Sequence, residues 1–392
     1  MYIPRILESK LSRLAGQYPV VTITGPRQSG KTTLCKKVFP NMPYVSLEAP
    51  DHRALAQEDP RGFFARWPGA IIDEIQRVPS LLSYIQGIVD ETPREGQFIL
   101  TGSAQLELME SVTQSLAGRT ALLKLYPFSL EELLECPGSS ERRLKLDELL
   151  YTGMFPRIHD KKLNPTEAHA FYTETYIERD VRSILQLKDR SLFATFLRLC
   201  AGRSAQVLNL TNLANDVGVS VNTIKSWLSV LETGFMISFL QPHHANYRKR
   251  LTKSPKLYFV DSGLMCYLLG ITDAAQLATH PLRGAIFETF VVTELRKQAW
   301  NQGNRPRLFY YRTSDGHEVD VLIDKGETVK PVEIKSAITF RDSLTDELAF
   351  YGKLNPGAEK GVLIYGGDDD WPKSDANVLS YRSIHKLRED FV

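Results

Sequence analysis

The chain has 392 residues, of which 43% are hydrophobic, 24% charged and 10% aromatic, so its composition is that of a folded protein rather than a disordered or fibrous one. At roughly 100–200 residues per domain, this length suggests two or three domains. The net charge is only +2. The longest apolar runs, such as AIIDEI and FMISFL, fall far short of the ~20 residues that cross a bilayer, which excludes a membrane-spanning protein.

The N-terminal sequence and the cysteines predict a cytoplasmic protein. MYIPRILESKLSRL is an amphipathic, charged stretch that lacks the apolar region of a secretion signal. Four widely spaced cysteines form no CxxC pair, which favours reduced thiols over disulfides or zinc ligands. They are Cys35, Cys136, Cys200 and Cys266.

The first 135 residues alternate apolar, strand-like runs with helical patterns. The predicted strands are YPVVTITG, MPYVSL, GAIIDEI and GQFILTGS. Strands that alternate with helices favour a parallel sheet in an α/β domain.

A glycine-rich loop follows the first predicted strand. GPRQSGKT fits the pattern G-x-x-x-x-G-K-[ST], in which backbone N–H groups surround phosphate oxygens and the following helix adds its positive N-terminal end. We expect Lys31 to reach the β- and γ-phosphates and Thr32 to bind Mg²⁺ through its hydroxyl. The cofactors predicted are ATP and Mg²⁺. The residues expected to bind the nucleotide are Gly25, Pro26, Arg27, Gln28, Ser29, Gly30, Lys31, Thr32 and Thr33.

Polar residues at the ends of the next strands complete the predicted ATPase site. Asp73 is expected to hold Mg²⁺, directly or through water, and Glu74 to polarise the attacking water. Thr101 or Ser103 is placed to sense the γ-phosphate, although an ordinary strand-ending turn would have the same pattern. Arg119 follows a glycine and is either a solvated side chain or a group that stabilises charge on a neighbouring subunit's nucleotide.

The middle of the chain is helical and basic. Residues 160–270 hold 14 Lys and Arg against 9 Asp and Glu. Residues 210–237 predict a helix, a turn and a second helix, with Thr211 as the cap of the first. QPHHANYRKRLTKSPKLYFV follows as a predicted β-hairpin wing. We expect six basic residues to contact DNA phosphates, unless the segment packs as a lid or subunit contact instead. They are Lys225, Arg248, Lys249, Arg250, Lys253 and Lys256.

Acidic residues near the C-terminus form a second candidate metal site. GAIFETFVVTELRKQ predicts a helix, and RLFYYRT, HEVDVLID and PVEIKSA predict strands. Carboxylates on adjacent strands, with a lysine on the same strand face, suit an Mg²⁺ site, while solvent-facing charges are the alternative. The candidate residues are Glu288, Asp320, Glu333 and Lys335.

Taken in order, these motifs resemble a family of bacterial and archaeal AAA-superfamily ATPases that joins a P-loop domain to a winged helix and a C-terminal domain of unknown function. The resemblance covers nearly the whole chain. Its motifs are GPRQSGKT, AIIDEIQ, FILTGS, LAGRT, LYPFSLEE, ETYIERDV, YFVDSGL, GAIFETFVVTEL, YYRTSDGHEVDVLI and VEIKS.

The resemblance implies a C-terminal module similar to PD-(D/E)xK nucleases, with Glu288, Asp320, Glu333 and Lys335 on the positions of the nuclease pattern. Many relatives of this module do not cleave DNA, and some use the fold only to hold it. Val319 stands where a proline is often found before the aspartate, and TGMFPRI, which lacks the acid, replaces the usual GGFPE. Arg119 lies at the family's Gly-Arg pair, which favours the inter-subunit role.

The expected fold is a multidomain α/β protein. Residues 1–140 form a P-loop AAA-type ATPase domain, 141–280 a helical and winged-helix domain, and 281–392 a nuclease-like α/β domain. We expect an Mg²⁺-dependent ATPase that binds and remodels duplex or branched DNA as an ATP-promoted homo-oligomer, of which a hexameric ring is one form. The alternatives are an ATP-gated DNA nuclease and a nucleotide-gated signalling switch with a protein partner.

Overall fold

A computed structural model gives the structure of most of the chain. The residues it describes are 2–103, 112, 115–135, 145–176, 190–243 and 254–391. The chain divides into two units, of which the first comprises Met1–Phe128, Thr233–Phe235 and Trp300–Gly303. The second comprises Ser129–Glu232, Met236–Ala299 and Asn304–Val392. Among the described residues, none of the helices combines the length and the hydropathy of a membrane-spanning segment.

Three of the four cysteines lie in the described part of the chain. Cys35, Cys200 and Cys266 are buried and unbridged, as the sequence predicts. Cys136 lies outside the described residues.

A five-stranded sheet forms the centre of the first unit. The strand order is β2-β3-β4-β1-β5, and every neighbouring pair is parallel. This confirms the expected parallel sheet, and four of its strands lie in the apolar runs singled out in the sequence. The strands are β1 (Val20–Thr24), β2 (Tyr44–Ser46), β3 (Ala70–Asp73), β4 (Phe98–Gly102) and β5 (Thr120–Lys124).

Helices cover both faces of this sheet, because neighbouring residues of a strand point to opposite sides. Val21 packs in a core with residues of α1 and α2, whereas Val20 packs in a second core with residues of α3, α4 and α5. The helices are α1 (Leu7–Ala15), α2 (Lys31–Val38), α3 (Pro50–Glu58), α4 (Pro60–Arg66) and α5 (Leu81–Glu91).

The second unit begins with a series of helices. They are α6 (Leu130–Leu134), α7 (Leu146–Thr152), α8 (Pro156–Lys161), α9 (Pro165–Tyr176), α10 (Arg190–Gly202), α11 (Leu210–Val217), α12 (Val221–Thr233) and α13 (Ser262–Leu268). Helices α11 and α12 are the predicted helix pair, and Gly218 joins them with a φ of 80°. The predicted cap is wrong: Asn209, not Thr211, caps α11, because its side chain accepts a hydrogen bond from the backbone N–H of Asn212.

A nine-stranded mixed sheet completes the second unit. Its order is β13-β14-β12-β11-β10-β9-β7-β8-β6. Strands β7 and β8 are antiparallel, as expected for a hairpin, although the tip between them lies outside the described residues. The strands are β6 (Gln206–Val207), β7 (Ile237–Pro242), β8 (Lys256–Phe259), β9 (Leu308–Arg312), β10 (Glu318–Asp324), β11 (Val329–Lys335), β12 (Gly361–Tyr365), β13 (Trp371–Pro372) and β14 (Ala376–Ser380).

The C-terminal elements follow the order predicted from the sequence. Helix α14 (Arg283–Asn301) precedes the antiparallel strands β9, β10 and β11. Helix α15 (Asp346–Leu354) then leads to β12, which runs parallel to β11. Asp320 and Glu333 therefore lie on adjacent strands, beside the Val321–Val332 pair.

Candidate functional site

The glycine-rich loop between β1 and α2 takes backbone conformations that its sequence permits. Gly25 has a φ of 151° and Gly30 a φ of 94°, both in the region that favours glycine. A Cβ atom added to Gly25 would lie 2.1 Å from the carbonyl oxygen of Leu125. The first glycine is therefore required by space as well as by conformation, because the loop lies against the backbone of the residue that follows β5.

Lys31 folds back into the loop at the start of α2. Its Nζ donates hydrogen bonds to the carbonyl oxygens of Gly25, at 2.9 Å, and Pro26, at 2.8 Å. Burial lowers the pKa of Lys31 to about 8. Ser29 Oγ is buried beside it and has no hydrogen-bond partner among the described residues. A buried ammonium and an unpartnered hydroxyl on a glycine loop fit a triphosphate, whose oxygens would accept from both.

Asp73 lies at the end of β3 and collects three hydroxyl groups. Thr32 Oγ1 donates to its Oδ2 at 3.0 Å, and the hydroxyl of Tyr44 donates to the same oxygen at 2.8 Å. Thr101 Oγ1 donates to the other carboxylate oxygen. The two residues expected to hold Mg²⁺, Thr32 and Asp73, are thus in direct contact, and this oxygen donor set fits that ion. Tyr44 was not singled out in the sequence.

Glu74 is held by the residue two positions further along the chain. It has a φ of 59°, an uncommon conformation for a residue with a side chain. Gln76 Nε2 donates to Glu74 Oε2 and, at 2.9 Å, to the hydroxyl of Ser103 at the end of β4. Burial raises the pKa of Glu74. The sequence left Thr101 and Ser103 as alternatives, and the structure gives each a different partner.

Arg5 contacts the loop from the N-terminal segment, and sequence reasoning missed it. Its Nη1 donates to the carbonyl oxygen of Ser29 at 2.8 Å, and its Nη2 to that of Tyr126 at 2.7 Å. The residue is 5% exposed, and its guanidinium lies 5.0 Å from the ring centre of Phe128. Arg5 belongs to no recognisable motif, so only the fold brings it to the loop.

Arg119, the residue before β5, pairs within its own chain. Its Nε and Nη2 donate to the two carboxylate oxygens of Asp90 at 2.6 and 2.8 Å. Both side chains are at the surface, since Arg119 is 32% exposed and Asp90 is 45% exposed.

The four residues of the second candidate site lie in one cluster of the second unit. Ile334 N donates to Asp320 Oδ2 at 2.8 Å, and Lys335 pairs with Glu333. Burial, followed by the neighbouring carboxylate of Asp320, raises the pKa of Glu288 to about 7 and that of Glu333 to about 8.

The structure corrects the role expected for Lys256. It was predicted as a DNA contact, but it is 2% exposed, and its Nζ bonds Glu288 Oε1 at 3.0 Å and Glu318 Oε1 at 2.5 Å. Although burial alone would lower it, the carboxylates of Glu288, Asp320 and Glu318 raise the pKa of Lys256. The number of basic residues in a segment does not show which of them are buried, and Lys256 lies on β8, a strand whose residues are all buried.

The other predicted DNA contacts are divided between described and undescribed residues. Lys225 is exposed on α12. Arg248, Lys249, Arg250 and Lys253 lie outside the described residues. In the part of the chain that the structure describes, no group of three or more His, Cys, Asp and Glu side chains is arranged to hold a metal ion.

Comparison with known proteins gives three matches along the chain. The family described as AAA domain matches residues 17–134, which hold the five-stranded sheet and the glycine-rich loop. Two domains of unknown function follow, DUF8612 over residues 143–275 and DUF4143 over residues 283–384.

Whole-chain relatives and a solved structure are also similar. The uncharacterized proteins Mb2031c of Mycobacterium bovis and Rv2008c of Mycobacterium tuberculosis are each 32% identical over 384 residues, spanning 94% of this chain and 81% of the relative. The Walker-type ATPase of Pyrococcus abyssi is 15% identical, with a TM-score of 0.45, over 67% of this chain and 94% of that one.

Proposed function

This chain belongs to the AAA-domain protein family of Mb2031c and Rv2008c, and we propose that it is an Mg²⁺-dependent ATPase that binds and remodels DNA. An AAA-superfamily ATPase domain occupies its N-terminal part, as the sequence predicted. We propose both the substrate on which hydrolysis acts, which is DNA, and the role of each residue in the site.

The observation that carries the proposal is the convergence of the loop residues with Asp73 and Glu74 at one edge of the parallel sheet. Lys31 would exchange its two carbonyl partners for phosphate oxygens, and the unpartnered hydroxyl of Ser29 would donate to a phosphate oxygen as well. Thr32 and Asp73 would hold Mg²⁺. The ion, when bound, neutralises phosphate charge. Glu74 would orient the attacking water and accept its proton, for which a raised pKa makes it a better base.

Three features support DNA as the substrate. Helices α11 and α12 have the order and spacing of a helix-turn-helix, and the strands β7 and β8 follow as a hairpin. Lys225 is exposed on the second helix, and the segment between the strands contains four Lys and Arg and no acid between 248 and 253. We therefore propose a winged helix whose tip contacts phosphates.

The domain division and the assembly are also part of the proposal. We assign residues 1–140 to the ATPase domain, 141–280 to the helical and winged-helix domain, and 281–392 to a nuclease-like domain, with the three matched ranges as support. Arg119 now pairs with the exposed Asp90, and in the proposed assembly it would exchange that carboxylate for the phosphates of a neighbouring subunit's nucleotide. The proposed active form is an ATP-promoted oligomer.

Nucleotide hydrolysis is tested by ATP turnover in the presence of Mg²⁺. Wild type is expected to release phosphate, while Lys31→Ala and Glu74→Gln fall by about 10²–10³-fold, which is the scale of losing a positioned acid–base or charge-stabilising group. The Glu74→Gln variant should still bind ATP, because the carboxylate that it lacks acts on the attacking water and not on the nucleotide. A wild type without turnover, or a fully active Glu74→Gln variant, would contradict the proposed site.

DNA binding is tested by the salt dependence of affinity for a labelled duplex. Replacing Arg248, Lys249 and Arg250 together with alanine should weaken binding equally for unrelated sequences. It should also reduce the salt slope by about 3, one for each phosphate that the variant no longer neutralises. Arg66→Ala, which changes an exposed arginine of α4, is the matched control. An unchanged salt slope in the triple variant would show that the wing does not contact DNA phosphates.

A further inference from the structure

The carboxylate cluster at the second candidate site contains a cation that the chain itself supplies. Four acids, Glu288, Glu318, Asp320 and Glu333, lie around the ends of α14, β10 and β11. Two lysines accompany them within the described residues: Lys335 pairs with Glu333, and Lys256 contacts the other three. Arg312 Nε also lies 3.6 Å from Glu318 Oε2, so three cations in the described part of the chain accompany the four acids of this cluster.

The Lys256 ammonium lies close to a carboxylate of helix α14 and to one of strand β10. Nζ is 3.0 Å from Glu288 Oε1 and 4.0 Å from Asp320 Oδ1, and its side chain is 3% exposed. Tyr258 also donates to Glu288 Oε1 at 2.6 Å. An Mg²⁺ ion needs carboxylate oxygens at about 2.0–2.1 Å, whereas Glu288 Oε1 already accepts from the Lys256 ammonium and the Tyr258 hydroxyl.

The backbone of Lys256 is held by strand pairing on both sides, and its side chain is buried. Lys256 pairs with Leu240 of β7 on one side and with Val207 of β6 on the other, and every residue of β8 is buried. One acceptor of the cluster is left over, because Glu333 Oε2 is buried without a hydrogen-bond partner among the described residues. The cluster thus has one unpartnered carboxylate oxygen, on Glu333, while the ammonium group of Lys256 on β8 lies among the other acids.

We propose that Lys256 takes the place of a divalent metal ion in the C-terminal module, so that the carboxylates of a nuclease-like site are held metal-free by the chain's own ammonium group. The residues present do not fit a metal while Lys256 lies among them. The contact couples strand β8, and with it the hairpin, to Glu288 and Glu318.

Direct metal binding tests this inference on the full chain without nucleotide, using Mn²⁺ and counting bound ions by electron paramagnetic resonance. Lys256→Met removes the charge and keeps the length of the side chain, and it should bind one Mn²⁺ more than wild type. Adding Glu333→Gln to that variant should remove the extra ion. Lys256→Arg, which keeps the charge, is the control and should bind no more than wild type.

A second measurement decides the question even if Lys256→Met does not fold, which circular dichroism would show. A buried carboxylate cluster that loses its cation is expected to be destabilised. In the wild-type background, Asp320→Asn should leave the number of bound Mn²⁺ ions unchanged, since no ion is bound at this cluster. Loss of one Mn²⁺ on that substitution would overturn the proposal.

The outcome is independent of the ATPase proposal, because it concerns metal binding in the absence of nucleotide. A chain that hydrolyses no ATP could still show the extra Mn²⁺ ion in Lys256→Met. An ion bound by wild type and lost in Asp320→Asn would overturn only the role of Lys256.

Discussion

At the scale of single residues, the phosphate loop is held by a side chain that no motif contains. Arg5 donates to the carbonyl oxygens of Ser29 and Tyr126, and so connects the middle of the loop to the segment after β5. Hydrogen bonds from a charged donor are worth about 1.5–3 kcal/mol each when buried. Arg5 therefore fixes the loop before a nucleotide arrives, which reduces the ordering cost of binding.

Removing the Arg5 side chain should weaken nucleotide binding. For Arg5→Ala we expect the Kd for a fluorescent ATP analogue to rise about tenfold, which corresponds to a loss of about 1.4 kcal/mol of preorganisation. Arg13→Ala is the matched control, since Arg13 is an exposed arginine of α1 that bonds Gln17. Equal affinities for Arg5→Ala and wild type would show that the loop needs no such anchor.

Gln76 is predicted to position Glu74 rather than to bind nucleotide. Its Nε2 joins the carboxylate to Ser103 of β4, so Gln76→Ala should lower kcat about tenfold and leave KM unchanged. Gln86→Ala, on α5, is the control. Steady-state kinetics at saturating Mg²⁺ separate the two constants, and a rise in KM alone would assign Gln76 to binding instead.

Sequence patterns reach these residues unequally. Lys31 and Thr32 are adjacent in a motif that its glycines identify, and Asp73 ends a run of apolar residues. The order of residues along the chain is therefore enough to select all three. Arg5 and Tyr44 carry no such signal, because only the folded chain brings them to the site. Lys256 misled the prediction for the converse reason: its basic neighbours suggested exposure, while its own strand is buried.

At the scale of elements, glycines decide how closely helices approach in the second unit. Helix α13 lies against the end of α7, and a Cβ added to Gly263 would be 2.7 Å from the backbone nitrogen of Gly153 and 2.5 Å from His169 Nε2. Backbone atoms at such a distance cannot give way as a flexible side chain would. The close packing of these helices therefore depends on the absence of a side chain at Gly263.

Gly263→Ala should accordingly destabilise the protein, by about 1–3 kcal/mol as for other overpacked cores. Gly202→Ala is the control, because a Cβ at Gly202, the last residue of α10, would meet nothing within 4 Å. Urea unfolding followed by circular dichroism compares the two variants. A Gly263→Ala variant as stable as Gly202→Ala would contradict the packing described here.

Helices and strands could be predicted where the residue composition and the spacing of apolar residues indicate the same structure. Strands β1, β3 and β4 are apolar runs bounded by turn residues, and α14 has a long helical pattern, so all were located from the sequence. Strands β6 and β13 have two residues each, too few for any period, and they exist only because a neighbouring strand pairs with them. The cap of α11 was misplaced by two residues, since Asn209 and Thr211 are both competent.

At the scale of the whole molecule, the proposal requires that subunits complete one another's sites. Arg119 now bonds Asp90 of its own chain, and a neighbour's nucleotide would compete with that carboxylate. Loss of such an arginine typically costs 10³–10⁵-fold in turnover. The assembly is therefore expected to control hydrolysis.

Mixing two inactive variants tests that requirement. Arg119→Ala keeps Glu74, and Glu74→Gln keeps Arg119, so an oligomer of both contains some complete sites and should recover about a quarter of the wild-type ATP turnover. Arg77→Ala, which changes a surface arginine paired with Glu48, should be active by itself. A mixture no more active than its components would mean that Arg119 does not act on a neighbouring subunit.

The central claim is that ATP hydrolysis in the N-terminal domain acts on a polynucleotide bound by the remainder of the chain. Its most direct test is the rate of ATP turnover with Mg²⁺ in the absence of DNA and with linear duplex, branched and single-stranded DNA. The account predicts that duplex or branched DNA raises the rate several-fold, and that Lys31→Ala stays far below wild type under every condition. The same rate with and without each DNA would contradict the account and favour a nucleotide-gated protein switch.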